Sequence, residues 1–149
     1  MTAPRPPHKM ESLYPNEGGS SMSFSRRLYH IFAWLFIIGV ILSVLFAGMV
    51  AVARISDWQY HTALGHSLGL PLVAMLITMY TGRLPAQMKR LTWLLFAAYF
   101  LQSDVLIFMR QDLPLASAIH PVIALFDFAI GWNLALRANS LLSEALPAK

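Results

Sequence analysis

Residues 28–53 read LYHIFAWLFIIGVILSVLFAGMVAVA and decide the fold, because this run of 26 residues contains no formally charged side chain. An α-helix crosses a hydrocarbon core of about 30 Å with about 20 mostly apolar residues. The apolar part of a secretory signal peptide is only about 7–15 residues long. The run is therefore predicted to be a membrane-spanning helix and not a cleaved leader.

The composition of the whole chain has the same character. Of its 149 residues, 57% are hydrophobic and 12% are charged, whereas average soluble domains have about 45–50% and 25%. The chain has no cysteine, which excludes thiolate metal sites and iron–sulfur clusters. Its formal net charge is +4, but the basic residues stand at segment ends and form no aromatic-interleaved stripe. The expected partner is a lipid bilayer and not a nucleic acid.

Three more apolar segments follow the first, so we predict spans at about residues 28–53, 61–82, 91–109 and 117–137. The connections are short, and short connections make neighbouring helices antiparallel. Only helices and closed barrels satisfy the backbone in lipid, and these segments are too long for barrel strands. The predicted fold class is all-α, an integral membrane up-down four-helix bundle within residues 25–138. Residues 1–24 are predicted to be a disordered tail, and residues 139–149 a second tail.

The basic residues predict an orientation. Nine of the eleven Lys and Arg residues precede the first span, separate the second and third, or follow the fourth. The other two, Arg54 and Arg110, lie in the remaining two loops. Because cytoplasmic loops carry the excess of Lys and Arg, both tails are predicted to be cytoplasmic. The predicted location is the bacterial cytoplasmic (inner) membrane.

Polar residues within the spans are the candidate site residues, and they are His61, His66, Gln102, Asp104, His120 and Asp127. A charged Asp at mid-span costs about 2.5–3.5 kcal/mol on insertion scales, so each Asp needs a proton or a partner. The candidate partners are the histidines, Gln102 and Arg110. Counting from the span ends puts His66, Asp104 and Asp127 in one layer of the outer half, with His61 and His120 above it. Either a structural hydrogen-bonded cluster or a proton relay would explain this layer.

His61 and His120 are predicted to lie at equal depth on different helices. Bis-histidine haem b requires this arrangement, because two imidazoles bind the iron from opposite sides. Two alternatives are open: another metal, or an ordinary histidine at the start of the helix that opens with His120-Pro121. At 100° per residue, His66 lies about 140° from His61 on the same helix, so both reach one centre only if Pro71 distorts that helix.

Several short patterns resemble a family of small bacterial four-helix membrane proteins of unknown function. The patterns are Trp58-x-x-His61-x-x-x-Gly65, Leu101-Gln102, His120-Pro121-Val122-x-Ala124-Leu125 and Ala135-Leu136-Arg137-Ala138. The resemblance covers about residues 28–138, and Ile123 stands where members often carry Asn. It implies the four-helix fold and no particular activity.

Enzyme motifs are missing from the sequence: it has no nucleophile elbow, zinc-protease motif, P-loop or dinucleotide fingerprint. We therefore expect a small polytopic membrane protein that serves as an accessory or structural subunit of a membrane complex. Its partners would be other membrane subunits or further copies of itself. The alternatives are a haem b electron-transfer protein using His61 and His120, and a small proton-coupled transporter using Asp104 and Asp127.

Overall fold

A computed structural model describes residues 17–109, 111–112, 115 and 118–144 of the chain. In these residues the regular elements are six α-helices and two π-helical turns. The α-helices are α1 (Glu17–Gly48), α2 (Trp58–Ser67), α3 (Gly69–Thr81), α4 (Ala86–Phe100), α5 (Leu106–Met109) and α6 (His120–Glu144). The π-helical turns are Met49–Ala53, which follows α1, and Leu101–Val105, which joins α4 to α5.

Four stretches of the described residues are long and apolar enough to cross a membrane. They are span 1 (Ser21–Ala53), span 2 (Trp58–Thr81), span 3 (Ala86–Met109) and span 4 (His120–Glu144). The prediction of an all-α bundle of four membrane helices is confirmed, and the chain is a small multi-pass membrane protein.

Two helices extend beyond the predicted spans. α1 begins at Glu17, so residues 17–24, which composition placed in a disordered tail, are helical. α6 continues to Glu144, because Leu141 still packs against the core of the bundle. The remainder of the predicted tails, residues 1–16 and 145–149, lies outside the described residues.

The helices pack around one apolar core. α1 contacts α2, α3 and α6, and α4 contacts α3 and α6, as an up-down bundle requires. Each span supplies large side chains that are fully buried, among them Tyr29, Phe36, Ile37, Leu72, Met75, Met79, Leu95 and Leu134. A buried hydrogen bond of 2.6 Å between the hydroxyls of Tyr29 and Thr92 ties span 1 to span 3.

Apolar side chains also cover the outside of the bundle. Only 28% of the most apolar stretch of each span is buried inside the chain. Large side chains such as Val52, Leu70 and Phe108 are 84%, 75% and 87% exposed. An apolar surface this extensive would aggregate in water but is the ordinary outer face of a bundle in lipid.

The two ends of the bundle differ in chemistry. At the end that holds the link between spans 2 and 3, Arg26 Nε donates to the carbonyl of Gly82 at 2.9 Å. At the same end Arg137 donates to Gln87 at 2.8 Å. We call this the basic end. The opposite end, where spans 2 and 4 begin with His61 and His120 near their first residues, is the histidine end.

Span 2 is interrupted at Leu68, between α2 and α3. Pro71 explains the break, because proline has no N–H for the carbonyl four residues earlier. The Tyr99 hydroxyl of span 3 donates to two carbonyls beside the break, those of Gly65 at 2.7 Å and His66 at 3.1 Å. Gly69 lies beside this hydroxyl, since an added Cβ there would be in van der Waals contact with the Tyr99 oxygen at 3.4 Å. The Gly65-x-x-x-Gly69 pair thus receives a side chain of span 3.

Close packing of span 1 predicts a contrast between two of its glycines. A side chain at Gly39 would overlap Leu68, whereas a Cβ at Gly48 would meet nothing within 4 Å. We expect Gly39→Leu to destabilise the protein by about 1–3 kcal/mol, as overpacking does. Gly48→Leu should leave the thermal unfolding midpoint in detergent nearly unchanged. Equal losses in both variants would contradict this packing.

Candidate functional site

Two histidines meet at the histidine end of the bundle. The ring centroids of His61 in span 2 and His120 in span 4 are 6.0 Å apart, and their planes are inclined by 75°. Both side chains are partly buried. Trp58, one turn before His61, packs edge-on against the His61 ring with centroids 5.7 Å apart. The two residues that the sequence placed at equal depth are therefore in contact.

Span 1 orients His61 through Ser43. His61 Nδ1 lies 2.9 Å from the Ser43 carbonyl oxygen and 3.1 Å from its hydroxyl. A carbonyl oxygen can only accept a hydrogen bond, so Nδ1 carries the proton and donates. In the neutral ring, Nε2 then has a free lone pair.

Span 3 orients His120 in the same way. His120 Nδ1 lies 3.2 Å from the backbone carbonyl of Gln102. This contact again places the ring proton on Nδ1 and leaves Nε2 free as an acceptor. All four spans therefore contribute to the site: two present imidazoles, and the other two present the carbonyls that orient them.

A second polar pair is fully enclosed by the bundle. The Gln102 side-chain nitrogen donates to Asp127 Oδ2 at 2.7 Å. Asp127 is 0% exposed and Gln102 is 7% exposed. The remaining oxygens of the pair, Asp127 Oδ1 and Gln102 Oε1, are buried and have no hydrogen-bond partner among the described residues. Buried polar atoms without partners are uncommon in folded proteins, so this pair requires an explanation.

Local backbone features place the polar pair. Gln102 lies in the π-helical turn Leu101–Val105 and is buried there, while Asp104 of the same turn is exposed. Single π-helical turns within α-helices occur often at functional sites. One turn beyond Asp127, Gly131 lets span 4 approach span 1, since an added Cβ would lie 3.3 Å from Phe36.

The other predicted site residues point elsewhere. His66 is exposed, and its Nδ1 bonds the Thr62 carbonyl of its own helix at 2.8 Å. Asp104 is exposed and accepts a hydrogen bond from Ser103. The break that Pro71 introduces lies beyond both His61 and His66, so it does not bring the two rings together. Arg110, a candidate partner for the aspartates, lies outside the described residues.

The donor set restricts which metal groups the site could hold. Among the described residues, no cluster of three or more His, Cys, Asp or Glu side chains could hold a metal ion. Structural zinc needs four such ligands and catalytic zinc three. Two imidazoles suit a metal whose other ligands come with it, as the ring nitrogens of haem do.

Sequence reasoning missed the groups that orient the site. Ser43 is an isolated hydroxyl in an apolar run, and that isolation was the only available signal. Tyr99 resembled an ordinary aromatic residue, although its hydroxyl holds span 2 to span 3.

Comparison with known families gives one match. A family model described as "Family of unknown function (DUF6220)" matches residues 43–106, which is less than half of the chain. The matched segment starts at Ser43 and contains His61 and Gln102, but it ends before His120 and Asp127. The chain is thus similar to an uncharacterised family over the end of span 1, all of span 2 and most of span 3. Comparisons with curated proteins and with solved structures gave no match.

Burial of the Gln102–Asp127 pair predicts a stability difference between two glutamines of span 3. We expect Gln102→Met to lower the free energy of unfolding by about 1–3 kcal/mol, because it leaves a buried carboxyl group without its donor. Gln87→Met is the matched control, since Gln87 is exposed and its bond to Arg137 lies at the surface. Chemical denaturation in mild detergent measures both. A Gln102→Met variant as stable as the control would contradict the importance of the pair.

Proposed function

We propose that this protein binds one haem b between His61 and His120 and carries single electrons within the membrane. The observation that supports this most directly is the facing pair of imidazoles, each with Nδ1 engaged by a backbone carbonyl. Histidines that bind metals usually donate the other ring N–H to a carbonyl or carboxylate in this way.

The separation of the rings is compatible with one shared metal. A metal–imidazole bond is about 2.0–2.1 Å and a ring nitrogen lies about 1.1 Å from its centroid, so opposed rings have centroids about 6 Å apart. The observed separation is 6.0 Å. Edge-to-face packing of two rings gives similar separations. An absorption spectrum distinguishes a shared metal from direct packing of the two rings.

The chain's own residues have defined tasks in this proposal. The carbonyls of Ser43 and Gln102 fix the ring orientations and increase the basicity of each Nε2. Both imidazoles are partly buried, and solvent exposure is one of the factors that set a redox potential. Bound haem would supply the one-electron iron couple, which the side chains cannot supply themselves.

Two other functions remain as competitors. An accessory or structural subunit needs no cofactor, so a colourless protein that co-purifies with a stable membrane partner would favour it. A proton-coupled transporter using Asp104 and Asp127 receives less support. Asp104 is exposed beside Ser103 whereas Asp127 is buried beside Gln102, so they do not form one carboxylate pair.

We expect an absorption spectrum to decide between these functions. Protein purified in detergent from a haem-producing host should show a low-spin haem spectrum that changes on reduction. His61→Ala and His120→Ala should each abolish that low-spin spectrum, because each removes one of the two residues that would bind the iron. His66→Ala should keep it, since His66 lies on the same helix but is exposed. Colourless wild-type protein, or equal loss in His66→Ala, would reject the haem assignment.

We also propose that the protein lies in the bacterial cytoplasmic membrane with the basic end, and thus both termini, in the cytoplasm. The supporting observation is that, of the seven Lys and Arg residues that the structure describes, six lie at that end and only Arg54 lies at the histidine end.

Single cysteines can test this orientation directly, because the chain has none of its own. A membrane-impermeant maleimide should label Gln59→Cys, at the histidine end, in intact cells of a bacterial host. It should label Asn139→Cys, at the basic end, only after permeabilisation. Both positions are exposed. The reverse pattern would show that the bundle is inserted the other way round.

A further inference from the structure

The buried pair of Gln102 and Asp127 has more acceptors than donors. We infer that Asp127 is a proton-binding site, in which Oδ1 carries a proton and donates it to Gln102 Oε1. Together with the bond from Gln102 Nε2 to Asp127 Oδ2, this makes a head-to-tail pair of a carboxylic acid and an amide. The inference concerns a different group from the histidine pair, and it holds whether or not haem is bound.

The unpaired oxygens of Gln102 and Asp127 support the presence of a proton on Asp127. An ionised carboxylate and an amide share only one bond here, at 2.7 Å, and leave Asp127 Oδ1 and Gln102 Oε1 without donors. An ionised carboxyl group only accepts, whereas a protonated one has an O–H to give. One proton on Oδ1 therefore supplies the missing donor, and the pair then uses both of its unsatisfied oxygens.

Charge leads to the same conclusion. Asp127 is 0% exposed and lies within span 4, and its one described hydrogen-bond partner is a neutral amide. A buried carboxylate without a cation is costly in a membrane bundle, and protonation removes that charge. Glutamine suits a protonated partner, because its amide can donate to the carbonyl oxygen and accept from the hydroxyl of the acid.

Among the described residues, the groups around the pair supply no positive charge that is held against the carboxyl group. From span 3, the Tyr99 phenol lies within electrostatic range of both Asp127 and Asp104. From span 4, His120 bonds the Gln102 backbone through Nδ1 and faces His61 of span 2. Span 1 contributes the apolar side chain of Phe36 one turn from Asp127. Tyr99 hydroxyl and His120 Nδ1 are both occupied by backbone carbonyls, so neither donates to Asp127.

Infrared spectroscopy of the full-length protein in lipid nanodiscs tests the protonation state. The C=O stretch of a carboxylic acid is separate from the carboxylate and amide bands. Labelling aspartate with ¹³C assigns the band to Asp and not Glu, and single Asp→Asn variants then identify which of the four Asp residues it comes from. At pH 7 we expect one aspartic acid band in the wild type and in Asp104→Asn. Asp127→Asn should lose this band. A wild type without the band, or an Asp127→Asn variant that keeps it, would overturn the inference.

The asparagine variant is expected to fold, because Asn and Gln can form the same head-to-tail pair with two amides. If it does not fold, Gln102→Met provides the second measurement. There the acid C=O of Asp127 loses its donor, so its band should move to higher wavenumber by comparison with Gln87→Met. An unmoved band would overturn the pairing. A water molecule or a cation bridging the two oxygens would leave Asp127 ionised, and no acid band would appear in the wild type.

Discussion

Every polar group inside this bundle must find its partner within the protein, because hydrocarbon offers none. That constraint explains the all-helical backbone, since a helix satisfies its own N–H and C=O groups. It also explains why so many polar side chains return to backbone carbonyls. Thr78, Thr92 and Ser67 each donate to a carbonyl three or four residues earlier in the chain. Tyr99 does the same between spans at the break near Leu68. The places where the constraint is only partly met are therefore the informative ones.

Two such places lie at the histidine end, and Gln102 belongs to both. Its backbone carbonyl orients His120, while its side chain holds Asp127. The π-helical turn that contains Gln102 makes this double use possible, because it keeps the residue buried while Asp104 two residues later is exposed. In the first place, His61 and His120 have free Nε2 acceptors. In the second, Gln102 and Asp127 have oxygens without donors. In the proposals made above, the imidazoles would hold a metal group and the carboxyl–amide pair would hold a proton.

The sequence predicted the fold well because the membrane signal is carried by long, uniform runs such as residues 28–53. Equal depth of His61 and His120 followed from counting residues, and the 140° between His61 and His66 followed from helix geometry. The directions in which Gln102 and Asp104 point could not be predicted from the rotation of 100° per residue, because the π-helical turn changes that rotation between them. Ser43 could not be recognised either, because its role depends on which residue of span 2 packs beside it. The helix ends at Glu17 and Glu144 both lie past the apolar runs, and near Glu144 the side chain of Leu141 still packs against the core.

The interruption at Leu68 divides span 2 into parts that are attached very differently. α3 buries Leu72, Met75, Thr78 and Met79, whereas α2 has no fully buried residue. The position of α2 depends on His61 at Ser43 and on the Tyr99 hydroxyl beside the interruption. It follows that packing holds α3 in the bundle, whereas α2 relies on these hydrogen bonds and on the ring contact of Tyr60 with Phe46, so the histidine it carries is positioned mainly by groups of the neighbouring spans.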